Sequence, residues 1–307
     1  MKEGLVSVLV PVYNGEKYLI EFLHSIKEQT YKSIQLIIRD DCSTDSSYKL
    51  CKDWIDRNKQ YFIESKIIRG EKNVGLSQNI SILVSYAEGE FIFISDQDDV
   101  WKSNKIEYQV EYMRQHSECM ISLSDRSITD EKLNIMEISN YRYAGYKTEI
   151  MDFKEVIKHR GAFAANTMCI RNGDYDIFNV PEAMVCHDTF IAVMASHYGT
   201  VDFIFEPLLL YRIHKHNLSG NYGAQFSRNI ISCFFRYCKT AERIVESHER
   251  DGSIIEKELK KRFNIDLKDY QNCFSGYYEK SVLKCAWQRT LRDYKAGKIG
   301  IWCDRGK

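Results

Sequence analysis

The sequence predicts an α/β domain on a mixed, mostly parallel sheet, and three observations predict it. Apolar, β-branched runs recur in the first hundred residues, at Leu5–Val12, Ile34–Ile38 and Phe91–Ile94. Between them lie stretches with apolar residues at three-to-four spacing, the mark of amphipathic helices. Each apolar run also stops at a polar cluster (Tyr13-Asn14, Asp40-Asp41 and Asp96 to Asp99), as at strand ends that face a ligand crevice.

Taken in order, Leu5–Val12 has the near-continuous apolarity of a strand covered on both faces, and Pro11, which cannot donate to a ladder, should end it. Tyr13-Asn14-Gly15 makes the turn, with Asn14 as cap of a helix that carries Tyr18, Leu19, Phe22, Leu23 and Ile26 on one stripe. A strand follows at Ile34–Ile38, then a helix through Tyr48, Leu50, Cys51 and Trp54, then a weaker strand near Ile63–Ile68. Asn73-Val74-Gly75-Leu76-Ser77 opens a helix with Ile80, Leu83, Val84 and Ala87 on one face. Phe91–Ile94 fits a fully buried strand, although periodicity alone leaves a helical segment open for so short a run. Strand and helix therefore alternate three times, and the three polar clusters should line one crevice.

Beyond residue 100 the pattern loosens. A helix through Ile106, Val110 and Met113 leads to a strand at Met120–Leu123, and the polar, Tyr-rich stretch 126–150 reads as an excursion over the crevice. Asn166–Ile170 predicts a strand, His187-Asp188 the start of a helix through Val193 and His197, and Val201–Phe205 with Pro207–Tyr211 two more strands. From Ala224 onward the chain has a helical pattern, which gives an α/β domain over 1–223 (halves 1–100 and 101–223) and a helical C-terminal extension over 224–307.

Composition narrows the function. A chain of 307 residues with 44% hydrophobic content and only three prolines has the makings of a folded core, not of a disordered linker. Its net charge of zero argues against bulk binding of nucleic acid. Ten scattered cysteines without a Cys-x-x-Cys pair point to reduced thiols and a cytoplasmic setting. The apolar N-terminal run is too short for a signal peptide or a membrane span. No Gly-x-Gly-x-x-Gly or Walker-type loop is present, which argues against dinucleotide and P-loop enzymes.

The acidic cluster Asp96-Gln97-Asp98-Asp99 carries the chemistry. Three carboxylates at one strand end repel one another, and a hard divalent cation neutralises them while leaving sites open to phosphate. Alone, an Asp-x-Asp is as readily a solvated turn or a helix cap.

Six segments stand in order: Ser7 to Asn14, Asp40 to Asp45, Asn73 to Ser77, Ser95 to Trp101, His187-Asp188 and Tyr211 to His214. Together, over residues 4–220, they resemble the family 2 glycosyltransferases, the GT-A-type group that uses nucleotide-diphosphate sugars. The wording Ser-Asp-Gln-Asp-Asp-Val-Trp, with His-Asp and Tyr-Arg-x-His later, is most similar to the bacterial rhamnosyltransferase-like branch.

The resemblance implies a GT-A fold, a Rossmann-like mixed, mostly parallel sheet, and an inverting transfer from a UDP- or dTDP-sugar to a saccharide or lipid-linked saccharide of a surface polysaccharide. Pro11, Val12 and Tyr13 would floor the nucleotide site, with Tyr13 stacking on the base. Asp41 would accept the ring N3–H, and Asp96 would take the ribose hydroxyls or a metal-bound water. Asp98 would bind Mn2+ or Mg2+, with Asp99 in support. Asp188 would be the general base, with His187 beside it structural or touching the acceptor. Arg212 and His214 would reach the diphosphate, His214 being a candidate extra metal ligand. Cys42 departs from the family's usual Gly. Trp101 either packs beneath the acidic turn or floors the sugar pocket, and Arg160 could face the acceptor.

Residues 225–243 place Arg228, Arg236, Lys239 and Arg243 against one acid, Glu242, and residues 254–307 hold 13 Lys or Arg against 7 acids. Such a segment suits a membrane surface, a second subunit or the catalytic domain itself. A binding protein that has lost catalysis and a sugar nucleotidyltransferase are the rival functions. The complete acidic set opposes the first, and the absence of a basic, Gly-rich loop after the first strand opposes the second.

Overall fold

The computed structural model describes residues 1–140, 150–151, 163–173, 177–178, 187–196, 198–215 and 217. Ten strands form one sheet in the order β3-β2-β1-β4-β9-β6-β10-β5, with β7 paired to β6 and β8 to β10. These are β1 (Lys2–Val12), β2 (Ile34–Asp40), β3 (Glu64–Arg69), β4 (Gly89–Ile94), β5 (Val100–Trp101), β6 (Cys119–Thr129), β7 (Ile135–Glu137), β8 (Ile150–Met151), β9 (Met168–Arg171) and β10 (Thr200–Arg212). The six long strands β1, β2, β3, β4, β6 and β10 run one way, and the short β5, β7, β8 and β9 run against them. The sheet is thus mixed and mostly parallel, as the alternation of strand and helix requires.

Helices α1 (Leu19–Lys27), α2 (Ser47–Asn58), α3 (Leu76–Val84), α4 (Lys105–Gln115) and α5 (His187–Ala195) cover both faces. Val6, Val8, Val10 and Val12 of β1 pack with Phe22 and Leu23 of α1, Trp54 of α2 and Val110 of α4. Leu9 packs on the other side with Ile80 and Leu83 of α3, in a core that also holds Ile191 of α5. Burial on both faces is why β1 and β2 read as unbroken apolar runs.

Three local expectations are corrected. Strand β1 continues one residue past Pro11, pairing Pro11 with Arg39 and Val12 with Asp40, because the missing donor costs little next to the strand end. Asn14 does not cap α1, whose first flanking residue is Tyr18; its side chain turns to the neighbouring loop instead. The two strands expected at 201–205 and 207–211 are one, β10, with register shifts on either side of Pro207 where it pairs with β6. Part of the expected excursion is regular, because β6 runs on to Thr129 and β7 pairs back on it. Tyr141, Tyr143, Tyr146, Arg160 and the whole of 224–307 lie outside the described residues.

Candidate active site

The carboxyl ends of β1, β2 and β4 fall at one edge of the sheet, since Val12 pairs with Asp40 and Leu9 with Ile94. The loops that leave β1 and β2 are laced together by side chains. Asn14 N–H donates to Ser43 Oγ (2.9 Å), Gly15 N–H to Ser47 Oγ (2.8 Å) and Glu16 N–H to Asp45 Oδ2 (3.1 Å). In return Thr44 N–H donates to Asn14 Oδ1 (2.9 Å) and Ser46 N–H to Glu16 Oε2 (2.9 Å). Burial raises the Asp45 carboxyl, but hydrogen bonds from Ser47 and Glu16 more than offset it and hold the group below its ordinary range. The Ser-Thr-Asp after the paired acids is thus the lace that holds the first loop in place.

Asp40 and Asp41 divide their work. Asp41 accepts from Arg39 Nη1 (2.8 Å), from Val74 N–H (3.0 Å to Oδ2) and from Gly75 N–H (2.8 Å), so it ties the loop before α3 to the end of β2. Asp40 accepts from Ser43 N–H (3.1 Å), while its Oδ1 is buried without a hydrogen-bond partner. Cys42, which follows them, has φ +64°, the left-handed region that favours glycine, which explains why Gly is the family's usual residue there. Pro11 and Val12 are buried at the end of β1, and Tyr13 beyond them is 46% exposed.

The acidic loop leaves β4 through Ser95, whose N–H and Oγ both donate to the Leu9 carbonyl (3.0 Å each). Gln97, the variable residue of the Asp-x-Asp, holds Tyr13 at two points. Its Oε1 accepts from Tyr13 N–H (3.0 Å) and its Nε2 donates to the Tyr13 carbonyl (2.9 Å). A Cβ on Gly15 would run into the Gln97 amide, so the glycine keeps this joint open.

Asp98 and His214 meet directly, Oδ2 to Nε2 at 2.8 Å, with the imidazole against the Tyr18 ring. Asp99 is fully buried and structural: it accepts from Asn166 Nδ2 (2.5 Å) and from Arg212 N–H (3.2 Å). Trp101 lies beneath the loop, packed on Phe22 and Phe93, so of its two expected roles the structure has the packing one.

Arg212, expected at the diphosphate, makes a set of contacts within the protein. It is 2% exposed, and its guanidinium donates to the Asp98 carbonyl (2.9 Å), the Glu131 carbonyl (2.6 Å) and Glu21 Oε2 (2.5 Å), and sits 4.5 Å from the Tyr18 ring centroid. Those contacts brace the acidic loop from within the protein.

The electrostatics follow from this crowding. Desolvation, with the charges of Asp98 and Asp188 adding to it, pushes the Asp96 carboxyl up to about 7. Desolvation, with Asp96 and Asp98, raises Asp99 well above the usual carboxylate range. Asp188, in the first turn of α5, is therefore within electrostatic reach of Asp96, although 92 residues separate them by number (188 − 96). His187 is buried, and desolvation holds its imidazole below the ordinary value.

The donor set fits a divalent ion. Asp98 and His214 offer one carboxylate and one imidazole side by side, with the carboxyls of Asp96 and Asp99 close by. Among the described residues no group of three or more His, Cys, Asp or Glu forms a ready cage, so further ligands would have to come from water or phosphate. That is the usual arrangement for ions that work on nucleotides.

The sequence profile of "Glycosyl transferase family 2" matches residues 7–178, more than half of the chain. The chain belongs to glycosyl transferase family 2. Glycosyltransferase GlyG of Streptococcus pneumoniae is 39% identical over 103 residues, 34% of this chain and 33% of that protein. The Escherichia coli UDP-Glc:alpha-D-GlcNAc-diphosphoundecaprenol beta-1,3-glucosyltransferase WfgD is 31% identical over 113 residues, 37% of this chain and 42% of that one. The match thus spans a third to under a half of the length of these relatives. By fold, the chain is similar to S. aureus TarS 1-349 in complex with UDP-GlcNAc, with a TM-score of 0.60 and 18% identity over 97% of this chain and 89% of that one.

Sequence reasoning missed Gln97, Ser43, Ser47 and Arg39, which build the site without entering it, and Lys105, a wholly buried lysine at the start of α4. Its Nζ donates to Gln109 Oε1 (2.6 Å) and Ser124 Oγ (3.3 Å), and burial pushes its pKa down to about 7. A polar side chain at a helix start reads as solvated, so nothing in the sequence marks it.

Proposed function

We propose that this family member is an inverting glycosyltransferase that moves a sugar from a UDP- or dTDP-linked donor to a hydroxyl of a saccharide or lipid-linked saccharide. Such a product belongs to a bacterial surface polysaccharide: capsule, O-antigen or cell wall. The observation that carries the reading is that Gln97 ties the exposed Tyr13 to the loop of Asp96 and Asp98, with Asp188 within electrostatic reach of Asp96. The uridine donor is supported by the TarS structure, which holds UDP-GlcNAc, and the lipid-linked acceptor by the name of WfgD.

In this reading Tyr13 stacks on the pyrimidine, with Pro11 and Val12 beneath. Asp41, oriented by Arg39 and the Val74 and Gly75 N–H groups, takes the ring N3–H. Asp96 takes the ribose hydroxyls or a metal-bound water. Asp98 and His214 hold Mn2+ or Mg2+, which when bound supplies Lewis acidity toward the charge that develops on the leaving diphosphate. Asp188 removes the acceptor hydroxyl proton as that oxygen attacks the anomeric carbon. The bond to the diphosphate breaks on the opposite side, so configuration inverts and no carboxylate nucleophile is needed. Asp99 and Arg212 act only by holding the loop that carries Asp98.

Incubation with Mn2+ and a panel of UDP-glucose, UDP-galactose, UDP-N-acetylhexosamines and dTDP-rhamnose tests the reading. The expected result is slow release of nucleoside diphosphate from one donor. Pyrophosphate release from a nucleoside triphosphate would instead make the protein a nucleotidyltransferase, and nucleotide binding without release from any donor would make it a binding protein.

A further inference from the structure

The roles assigned above leave one cation of the crevice without a task. Arg126 lies in β6, half-buried, with its own N–H donating to Asp125 Oδ1 (2.7 Å). By the pleat of the strand Arg126 and Ile128 share a face, and Ile128 pairs with Tyr211 of β10. The guanidinium accordingly stacks on that ring, its Cζ 4.1 Å from the centroid. Stacking fixes a guanidinium while leaving its N–H edge available.

Among the described residues that edge makes no hydrogen bond and no ion pair, in contrast to the fully occupied surroundings of Arg212. A half-buried guanidinium held by stacking keeps donors that a ligand can take over from water. Tyr211, on which Arg126 stacks, is followed by Arg212, whose N–H donates to Asp99 (3.2 Å) and whose Nε donates to the Asp98 carbonyl (2.9 Å), so the stack stands beside the acidic loop, where the charges of Arg126 and Asp188 both reach Asp96. Asp96 thus has the cation and the candidate base both within reach. The donor's sugar has to occupy that neighbourhood, because the base must meet the hydroxyl that attacks its anomeric carbon.

We infer that Arg126 is a specificity-determining residue that hydrogen-bonds the transferred sugar through its unspent guanidinium edge. A planar fork of this kind matches two acceptor oxygens side by side, as in vicinal hydroxyls or a sugar carboxylate. The inference rests on the function proposed above.

The experiment uses the full chain and the donor that it turns over. Arg126→Gln removes the charge and the fork, whereas Arg126→Lys keeps the charge and removes only the fork. Nucleoside diphosphate release gives kcat and KM, and calorimetry with Mn2+ gives the affinity for the nucleoside diphosphate alone. Both variants should lose about 10–100-fold in kcat/KM for the donor. Nucleoside diphosphate affinity should stay within about twofold, the acceptor KM should not move, and Tm should stay near that of the wild type.

An equal fall in nucleoside diphosphate affinity would make Arg126 a diphosphate contact and overturn the inference. A rise in acceptor KM alone would overturn it too, as would unchanged kinetics. A wild-type chain that turns over no donor would sink the proposed function itself, and is seen before any variant is made.

Discussion

Replacing Gln97 by Ala should loosen the nucleotide platform without unfolding the protein. The Gln97 amide makes two hydrogen bonds, of 3.0 and 2.9 Å, to the two backbone groups of Tyr13. Each such bond contributes about 0.5–1.5 kcal/mol net, and partial exposure keeps the pair near the lower half of that range. The joint therefore contributes about 1–2 kcal/mol, and if Tyr13 carries the base the affinity for UDP or dTDP should fall about 5–30-fold. Gly15→Ala reaches the same joint from the other side, because its Cβ would displace the Gln97 amide. The two changes should therefore be non-additive, the double variant behaving like either single one. Calorimetric titration with nucleoside diphosphate and Mn2+ reads the affinities, and urea unfolding checks the fold. Additive losses, or a Gly15→Ala protein that binds like the wild type, would refute the reasoning.

Asp188→Asn should cut turnover by about 100-fold or more and leave nucleoside diphosphate affinity intact. Asp98→Ala and His214→Ala should weaken that affinity only when Mn2+ is present, read by titration with and without chelator. Cys42→Gly should stabilise the fold by up to about 1 kcal/mol in urea unfolding, because relief of the left-handed strain outweighs the extra chain entropy; destabilisation would contradict the backbone geometry. Lys105 gives a pH signature. Its folded pKa of about 7 lies below the ordinary lysine value of 10.5, so in that interval the unfolded chain binds more protons. Its destabilising effect is then full below about 7 and is relieved as pH rises toward 10.5. The stability of the wild type relative to Lys105→Met should accordingly rise between pH 6.5 and 9.5; a flat difference would mean that the lysine titrates normally.

What could be read in the sequence was whatever repeats with a period or sits at a strand end. The strands β1, β2 and β4 announce themselves because helices on both faces demand apolar residues at every position, not every second one. The acidic cluster is legible for a related reason: a buried strand that stops at three carboxylates needs an explanation that a surface turn does not. The lacing is illegible by the same logic. Ser43, Ser47 and Gln97 act on partners 29, 32 and 84 residues away, and a lone hydroxyl or amide has no period that could betray it. Arg212 is illegible in another way, since nothing in the sequence says that its guanidinium bonds the Asp98 and Glu131 carbonyls. The Asp-x-Asp then has more than one kind of work in it. Asp98 meets His214, Gln97 ties the loop to Tyr13, and Asp99 ties it to β10 and Asn166. A substitution at the variable position should on that account be felt first at Tyr13, and under the proposed function at the nucleotide it carries.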